Sequence, residues 1–129
     1  MKKYLLFLVI SCLIFFAQAQ EKPVLEVEIT QAKSTSGMIR VLVFHLPDGF
    51  PDEIGKAIQS YSIPSTLPTS KLIVEDLEPG IYAISIIHDE NQNGKLDTSL
   101  LGYPTEKFGF SNNPKIYFGP PSFDKAAFG

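Results

Sequence analysis

The chain has 129 residues, a formal net charge of −3 at neutral pH and one cysteine, Cys12. This length fits one domain, which can bury roughly two-thirds of its unfolded surface without covalent cross-links. The mild acidity and the lack of a basic stripe exclude nucleic-acid binding as an expected function. Because no cysteine follows Cys12, an exported domain would depend on its apolar core or on a bound ion.

The first nineteen residues have the pattern of a secretory signal peptide. Lys2 and Lys3 precede an apolar run over residues 4–16, and residues 17–19 (Ala-Gln-Ala) form a small-x-small cleavage site. The run is too short to span a bilayer, which needs about 20 residues. We predict a signal peptide over residues 1–19, a mature domain over 20–129, and a periplasmic or extracellular location. Removal of both lysines changes the formal charge from −3 to −5.

A lipoprotein cleavage box is the alternative reading of the same leader. Residues 9–12 (Val-Ile-Ser-Cys) resemble such a box, with Cys12 as the lipidated residue. The apolar Leu-Ile-Phe-Phe that follows Cys12 disfavours it, because a processed lipoprotein usually turns polar there.

Alternating apolar and polar residues predict four strands in the first two-thirds of the mature chain. Residues 24–30 form a half-buried strand, and residues 38–44 form a central one because they are apolar on both faces apart from Arg40. Residues 52–60 predict one or two helical turns, after which Pro64 and Pro68 keep the chain irregular. Residues 71–75 form a third strand and residues 81–88 a fourth, with a Pro-Gly turn between them.

The last third of the chain is rich in glycine, proline, asparagine and aromatic residues. Over residues 100–121 this composition predicts a long ordered excursion that buries the rings of Tyr103, Phe108, Phe110, Tyr117 and Phe118. Residues 116–118 predict a short strand, and residues 122–128 a helical turn or the approach to a last strand. The whole pattern indicates an all-β, antiparallel immunoglobulin-like or transthyretin-like sandwich with a long Gly/Pro/aromatic-rich loop region.

The loop over residues 88–97, H-D-E-N-Q-N-G-K-L-D, has the spacing of a calcium loop. Asp89, Asn91 and Asn93 place short oxygen-bearing side chains at alternate positions, Gly94 allows a sharp turn, and Asp97 follows at the ninth position. The twelfth position, where an EF-hand carries a bidentate glutamate, is a leucine. The competing interpretation is a turn in which Asp and Asn side chains bond their own backbone.

This loop and the L-G-Y-P, E-K-F-G-F-S-N-N and F-G-P-P-S-F segments after it resemble an uncharacterised family of exported bacterial proteins, the domain of unknown function numbered twenty-one forty-one. That resemblance covers nearly the whole mature chain and implies a fold but no activity. The loop is also similar to the calcium loops of surface-protein B-type repeats. This second likeness implies that the side chains of Asp89, Asn91, Asn93 and Asp97 and the backbone carbonyl of Lys95 are ligands. Those repeats also carry a late acidic ligand that this sequence lacks, so Glu106 or a carboxylate elsewhere would have to replace it.

Two other arrangements of polar residues suggest chemistry. If the strands simply alternate in direction, His45 and His88 share one end of the sandwich and could form a zinc or copper site with Asp89 or Glu106. The competing interpretation is that each histidine caps a strand end and bonds a carbonyl. Ser111, His88 and Asp89 supply the residue types of a catalytic triad, but no nucleophile elbow accompanies them.

We therefore predict an exported, monomeric β-sandwich without a membrane span and without enzymatic activity. Its loop would bind Ca²⁺ and order the segment after it as a surface for an unknown protein or glycan partner. The alternative from another class is a periplasmic metal-dependent enzyme or metal-binding protein that uses His45, His88 and Glu106. A third possibility is an adhesion or scaffold domain with an ion-free loop.

Overall fold

The structure is a computed structural model that describes residues 23–129. The predicted signal peptide over residues 1–19 and the alternative lipidation site Cys12 lie outside the described residues. Within residues 23–129, no helix combines the length and the apolar character that crossing a membrane requires.

Short strands account for most of the regular structure in the described part of the chain. In chain order the elements are β1 (Leu25–Thr30), β2 (Met38–Phe44), a 3₁₀ turn (Ile54–Lys56), β3 (Gln59–Pro64), β4 (Thr69–Val74), β5 (Ala83–Asp89), β6 (Phe108–Phe110) and α1 (Phe123–Ala126). β1 and β4 form a two-stranded sheet, and the second sheet has the order β3-β2-β5-β6. All pairs of these strands are antiparallel, which confirms the predicted antiparallel sandwich. Its immunoglobulin-like or transthyretin-like type stays a prediction.

The main core lies between the two sheets. Ile39, Val41 and Val43 of β2 alternate toward it and are almost completely buried. They face Ile29 of β1 and aliphatic residues of β4, which include Val74. Burial of each such side chain contributes about 1.5–3 kcal/mol, so this aliphatic layer provides most of the force that holds the sheets together.

A second apolar cluster covers the opposite face of the four-stranded sheet. Phe44 and Ala83 pack there against Phe123 and Ala126 of α1. Phe50 joins them, and its ring contacts those of Phe44 and Phe123 edge-on at centroid distances of 5.3 and 5.9 Å. β2 and β5 are therefore covered on both faces, which for β2 agrees with the pattern of residues 38–44, apolar on both faces apart from Arg40.

Three predicted elements differ from the structure. The helical structure in residues 52–60 is limited to the 3₁₀ turn at Ile54–Lys56. The strand β3 begins at Gln59, within the predicted helical turns, and continues to Pro64, where irregular chain was expected. Pro64 does not prevent this strand, because it is the last residue of an edge strand and no ladder bond is needed on its outer side. The predicted strand at residues 116–118 is wrong, since the strand of this region is β6.

The aromatic-rich segment is also less buried than expected. Phe110 is half-buried and packs against the ring of Phe50 at 6.0 Å. Tyr103, Phe108, Tyr117 and Phe118 are exposed, so the prediction that their rings bury surface is wrong. Apolar residues commonly remain on protein surfaces, and composition alone does not show which of them reach the core.

Candidate functional site

The candidate loop begins at the C-terminal end of β5, an inner strand of the four-stranded sheet. Asp89 is the last residue of β5 and lies opposite Met38, the first residue of β2. Its side chain is completely buried. Asp89 Oδ2 accepts hydrogen bonds from Arg40 Nε at 2.7 Å and from the Gly94 amide at 2.8 Å, and Oδ1 accepts one from the Asn93 amide at 3.1 Å. The carboxylate thus fixes the curl of the loop from inside.

The charge of Asp89 is balanced on the same face of the sheet. Arg40 lies one strand away and also donates from Nη1 to Ser62 Oγ of β3 at 2.7 Å. Burial alone would raise the pKa of Asp89, but the hydrogen bonds from Arg40, Gly94 and Asn93 outweigh burial and lower this pKa. The group is therefore a carboxylate that the fold holds in its charged form.

The tip of the loop consists of two turns that its own asparagines stabilise. Asn91 Oδ1 accepts from the Asn93 amide at 3.3 Å, and Asn93 Oδ1 accepts from the Lys95 amide at 3.0 Å. Gly94 has a φ of +81°, a conformation that glycine adopts without steric cost. These bonds are the ones that the hydrogen-bonded-turn interpretation predicts.

Both asparagine amide groups converge on Asp97. Asn91 Nδ2 donates to Asp97 Oδ2 at 2.6 Å, and Asn93 Nδ2 donates to Asp97 Oδ1 at 2.6 Å. The two asparagines are exposed and Asp97 is half-buried, so the cluster lies at the surface. The alternate spacing therefore brings Asn91 and Asn93 to Asp97, with their amide nitrogens facing its carboxylate, while Asp89 binds Arg40 and backbone amides instead.

Glu106 connects the two ends of the loop through hydrogen bonds to their backbone amides. Its side chain is buried, with 7% of the residue exposed. Oε2 accepts from the Glu90 amide at 2.7 Å and Oε1 accepts from the Asp97 amide at 3.0 Å. The Thr105 amide in turn donates to the Asp97 carbonyl oxygen at 2.8 Å. Glu106 thus acts here as a brace between backbone amides that are seven residues apart.

The turn over residues 34–37 packs tightly against the start of the loop. Gly37 has a φ of +69°, and a Cβ at this position would overlap the backbone of Asp89 and Glu90. Ser34 Oγ donates to Glu90 Oε1 at 3.0 Å, and His88 Nε2 lies 2.7 Å from the Ser36 carbonyl oxygen. The sequence alone identified neither Arg40 nor this turn as part of the region. The isolated arginine in an apolar strand was the one signal available.

The two histidines do not share an end of the sandwich. β2 and β5 are antiparallel, with Met38 opposite Asp89 and Phe44 opposite Ala83. His45 follows Phe44, and its Nδ1 donates to the Ile81 carbonyl at 2.9 Å, whereas His88 lies beside Asp89 at the other end. The prediction that both histidines lie at the same pole is therefore wrong, and they do not converge with Glu106.

The three residues of the candidate catalytic triad, Ser111, His88 and Asp89, are also separated. His88 and Asp89 are consecutive in β5, so their side chains point to opposite faces of the sheet. Ser111 Oγ accepts from the Ile84 amide at 2.9 Å and donates to the Ala126 carbonyl, so this hydroxyl connects α1 to β5. Among residues 23–129, no three His, Cys, Asp or Glu side chains form a group that could hold a metal ion.

Comparison with protein families gives one match. Residues 27–129 match the family described as "Uncharacterized protein conserved in bacteria (DUF2141)". Comparison with curated proteins and with solved structures finds no match.

Proposed function

The chain belongs to the DUF2141 family of uncharacterized bacterial proteins, and from this premise we propose that it is an exported, non-enzymatic β-sandwich module with a structural calcium loop. The ion would bind at the surface side of residues 89–97. Its effect would be to order the turn that follows the loop, so that this turn can contact a protein or glycan partner.

The observation that supports calcium is the convergence of two side-chain amides on both oxygens of Asp97. Each amide carries a carbonyl oxygen on the same carbon as its nitrogen, and a half-turn of the amide exchanges the two. After this half-turn, Asn91 and Asn93 would present oxygens to the oxygens of Asp97. Four oxygens from three short side chains would then surround one point, and calcium binds oxygen ligands at about 2.3–2.6 Å.

The same geometry sets the strength of the site. The half-turn breaks the bonds from the Asn93 and Lys95 amides to the two asparagine oxygens, which costs part of the binding energy. Arg40 already neutralises Asp89, whose side chain is completely buried, so little of its charge is available to an ion at the surface. We therefore expect a dissociation constant of about 10⁻⁴–10⁻³ M, the range of extracellular calcium modules.

The segment attached to Asp97 is the surface that an ion would order. Thr98 and Pro104 form an isolated antiparallel bridge, and the turn between them exposes Leu100, Leu101 and Tyr103. Adjacent exposed apolar side chains on a small domain are typical of contact sites. Calcium on Asp97 would fix the base of this turn and so hold the three side chains in one arrangement.

Thermal unfolding in excess chelator and then in millimolar calcium tests the site. At a calcium concentration about 100 times Kd, binding adds roughly 2.7 kcal/mol to the free energy of unfolding, so Tm should rise by several degrees. Asp97→Asn should remove this rise, because Asp97 supplies the only carboxylate at the converging point. Asp124→Asn is the matched control, since Asp124 is exposed and lies in α1.

Asp97 is a better test residue than Asp89. Loss of Asp89 would unfold the loop with or without calcium, because its oxygens hold Arg40 and two backbone amides. A Tm that does not change with calcium in the unsubstituted protein would contradict the ion site. In that case the loop is a hydrogen-bonded turn and the protein an ion-free scaffold. Protease cleavage within residues 98–121 at the same rate with and without calcium would contradict the ordering role.

Export has a separate test. We expect protein recovered from outside the cytoplasm to begin at Gln20, as judged by N-terminal sequencing or intact mass. A lipid-modified N-terminal Cys12 would instead support the lipoprotein alternative. Protein that keeps its leader and remains in the cytoplasm would contradict export.

A further inference from the structure

A cleft of about 740 Å³ lies between β1 and β6, away from the proposed calcium loop. Its floor is the inner face of the four-stranded sheet, with Ile84, Ile86 and His88 of β5. One wall is β1, and the other is the segment over residues 107–113. The cleft exists because the two-stranded sheet covers only part of the four-stranded sheet.

Gly109 contributes no side chain to this floor. It is directly opposite Ile86 in the β5–β6 pair, and residues directly opposite each other in an antiparallel pair share one face. A Cβ at Gly109 would meet nothing within 4 Å, so the space above β6 is open. A larger residue could therefore fill the cleft at this position without displacing its neighbours.

His88 adds one polar side chain to the buried floor beneath this space. The residue is 3% exposed and lines the cleft. The Ser36 carbonyl oxygen can only accept, so His88 Nε2 donates to it, and in the neutral ring Nδ1 is then an acceptor. Nδ1 is buried and has no hydrogen-bond partner among the described residues. A buried unpaired acceptor costs about 1–3 kcal/mol, and a ligand could reach this atom only if the cleft widened around His88.

The β1 wall supplies backbone groups as well. Within residues 23–129, β1 pairs only with β4, so one edge of this six-residue strand is unpaired. The N–H and C=O groups of a strand point alternately to its two edges, and about half of those in β1 therefore point away from β4. An extended polypeptide is the class of ligand that can pair with such an edge.

Charge indicates which extended polypeptide fits. Glu26 and Glu28 are the outward-facing residues of β1, and both are exposed. On the β4 side, Lys71 is directly opposite Glu28 and its Nζ lies 4.0 Å from Glu26 Oε1. A strand added to the other edge would place its own outward residues beside the same two carboxylates. Opposite charges stabilise cross-strand pairs and like charges destabilise them, so basic residues fit and a second copy of β1 does not.

We infer that the cleft binds an extended segment of a partner polypeptide that adds to β1 as a strand. Its outward residues are basic and lie beside Glu26 and Glu28. Its inward residues are apolar and cover Ile86, the half-buried residue of the cleft floor. This site does not depend on calcium, because its residues do not include the side chains that converge on Asp97.

The test uses the chain expressed from its full sequence and two pools of synthetic peptides of about nine residues, long enough to span β1. In the first pool Val, Ile or Thr alternates with Lys or Arg. In the second pool Glu or Asp replaces the basic residues. Saturable binding of peptides from the first pool, with slower amide hydrogen exchange in residues 25–30, is the expected result. Equal binding of both pools would overturn the inferred charge pattern.

Gly109→Val is the decisive variant, because a valine in the cleft occupies the space that the peptide needs while suiting a strand. We expect it to weaken peptide binding about tenfold or more, the equivalent of at least one lost contact of about 1.4 kcal/mol. Gly55→Val is the matched control, since a Cβ at Gly55 also meets nothing within 4 Å but lies outside the cleft. An unchanged Tm in both variants verifies folding. Full peptide affinity in Gly109→Val would overturn the site.

Two further outcomes would overturn the proposed occupant. Concentration-dependent dimerisation without peptide, measured by sedimentation, together with protection of residues 25–30 would indicate a second copy of the chain. Protection of the same amides in the monomer without peptide would indicate that the chain's own residues before residue 23 pair with β1. Absence of binding by any peptide of the first pool would overturn the inference as a whole.

Discussion

Replacement of Glu106 by glutamine distinguishes a backbone brace from a calcium ligand. In the structure, Oε1 and Oε2 accept hydrogen bonds from the amides of Asp97 and Glu90. Glutamine has nearly the same shape but only one acceptor oxygen. One backbone amide would therefore lose its acceptor and face an NH₂ group, which is also a donor.

The size of the effect follows from these two bonds. A hydrogen bond to a charged group contributes about 1.5–3 kcal/mol, and a buried donor left without an acceptor adds to the loss. Because Glu106 is only 7% exposed, water cannot easily replace the missing bond. We expect Glu106→Gln to lower the free energy of unfolding by about 2–4 kcal/mol. At roughly 3–5 °C per kcal/mol for a domain of this size, Tm should fall by about 6–20 °C.

The assay is thermal and urea unfolding in excess chelator, so that no calcium contributes. Glu53→Gln is the control, because Glu53 is exposed and its side chain makes no capping bond to the 3₁₀ turn. This control removes one negative charge and should change the free energy of unfolding by less than about 0.5 kcal/mol. A faster exchange of the Glu90 and Asp97 amides in Glu106→Gln would locate the loss.

One result would refute the brace. If Glu106→Gln matches the unsubstituted protein in chelator and loses stability only in calcium, then Glu106 acts as an ion ligand and its two backbone bonds contribute little. A loss that is present in chelator and of equal size in calcium would support the brace and remove Glu106 from the candidate ligands.

Three more predictions concern other contacts of the same sheet. Gly37→Ala should lower the free energy of unfolding by roughly 2–4 kcal/mol, because the added Cβ would overlap the Asp89 backbone. The control Gly55→Ala should change it by less than about 1 kcal/mol. Similar urea midpoints for the two variants would refute the close approach of Gly37 to Asp89. The lowered pKa of Asp89 means that its stabilisation is present above the unfolded value of about 3.9 and disappears as pH falls through the folded value. The stability difference between the unsubstituted protein and Asp89→Asn should therefore shrink in acid, and a constant difference from neutral pH down to about pH 3 would contradict this. Ser111→Ala removes the hydroxyl that connects α1 to β5. We therefore expect the free energy of unfolding to fall by about 1–2 kcal/mol and amide hydrogen exchange in residues 122–129 to become faster. Unchanged exchange in these residues would show that the hydrogen bond is dispensable.

Strands with a regular pattern were predictable from the sequence. β1 alternates strictly, and β2 is apolar on both faces because both faces are covered. β3 was missed because its sequence, Q-S-Y-S-I-P, is polar and ends in proline, a composition that an edge strand tolerates. β6 was missed as a strand because it has only three residues, one of them glycine.

The missed strand explains the error over the histidines. Without β3, the strands of His45 and His88 count as the second and fourth, and simple alternation makes them parallel. With β3 included, the strand of His88 is the fifth, and alternation makes it antiparallel to β2, as the register shows. A single missed element therefore reversed the predicted position of one histidine. The prediction of the candidate loop did not depend on the number of strands, because the residues of the loop are close in sequence and local turns bring them together.

The two sheets also have consequences for the order in which the protein folds. In the sequence, β1 and β4 lie on either side of β2 and β3, so the pair β1–β4 encloses the pair β2–β3. Loop-closure entropy rises with the number of free residues between two contacts. Formation of the β2–β3 hairpin removes many of these free residues and so lowers the entropy cost of joining β1 to β4. We therefore expect β2–β3 to form early in the folding transition state, with the two-stranded sheet closing over it afterwards.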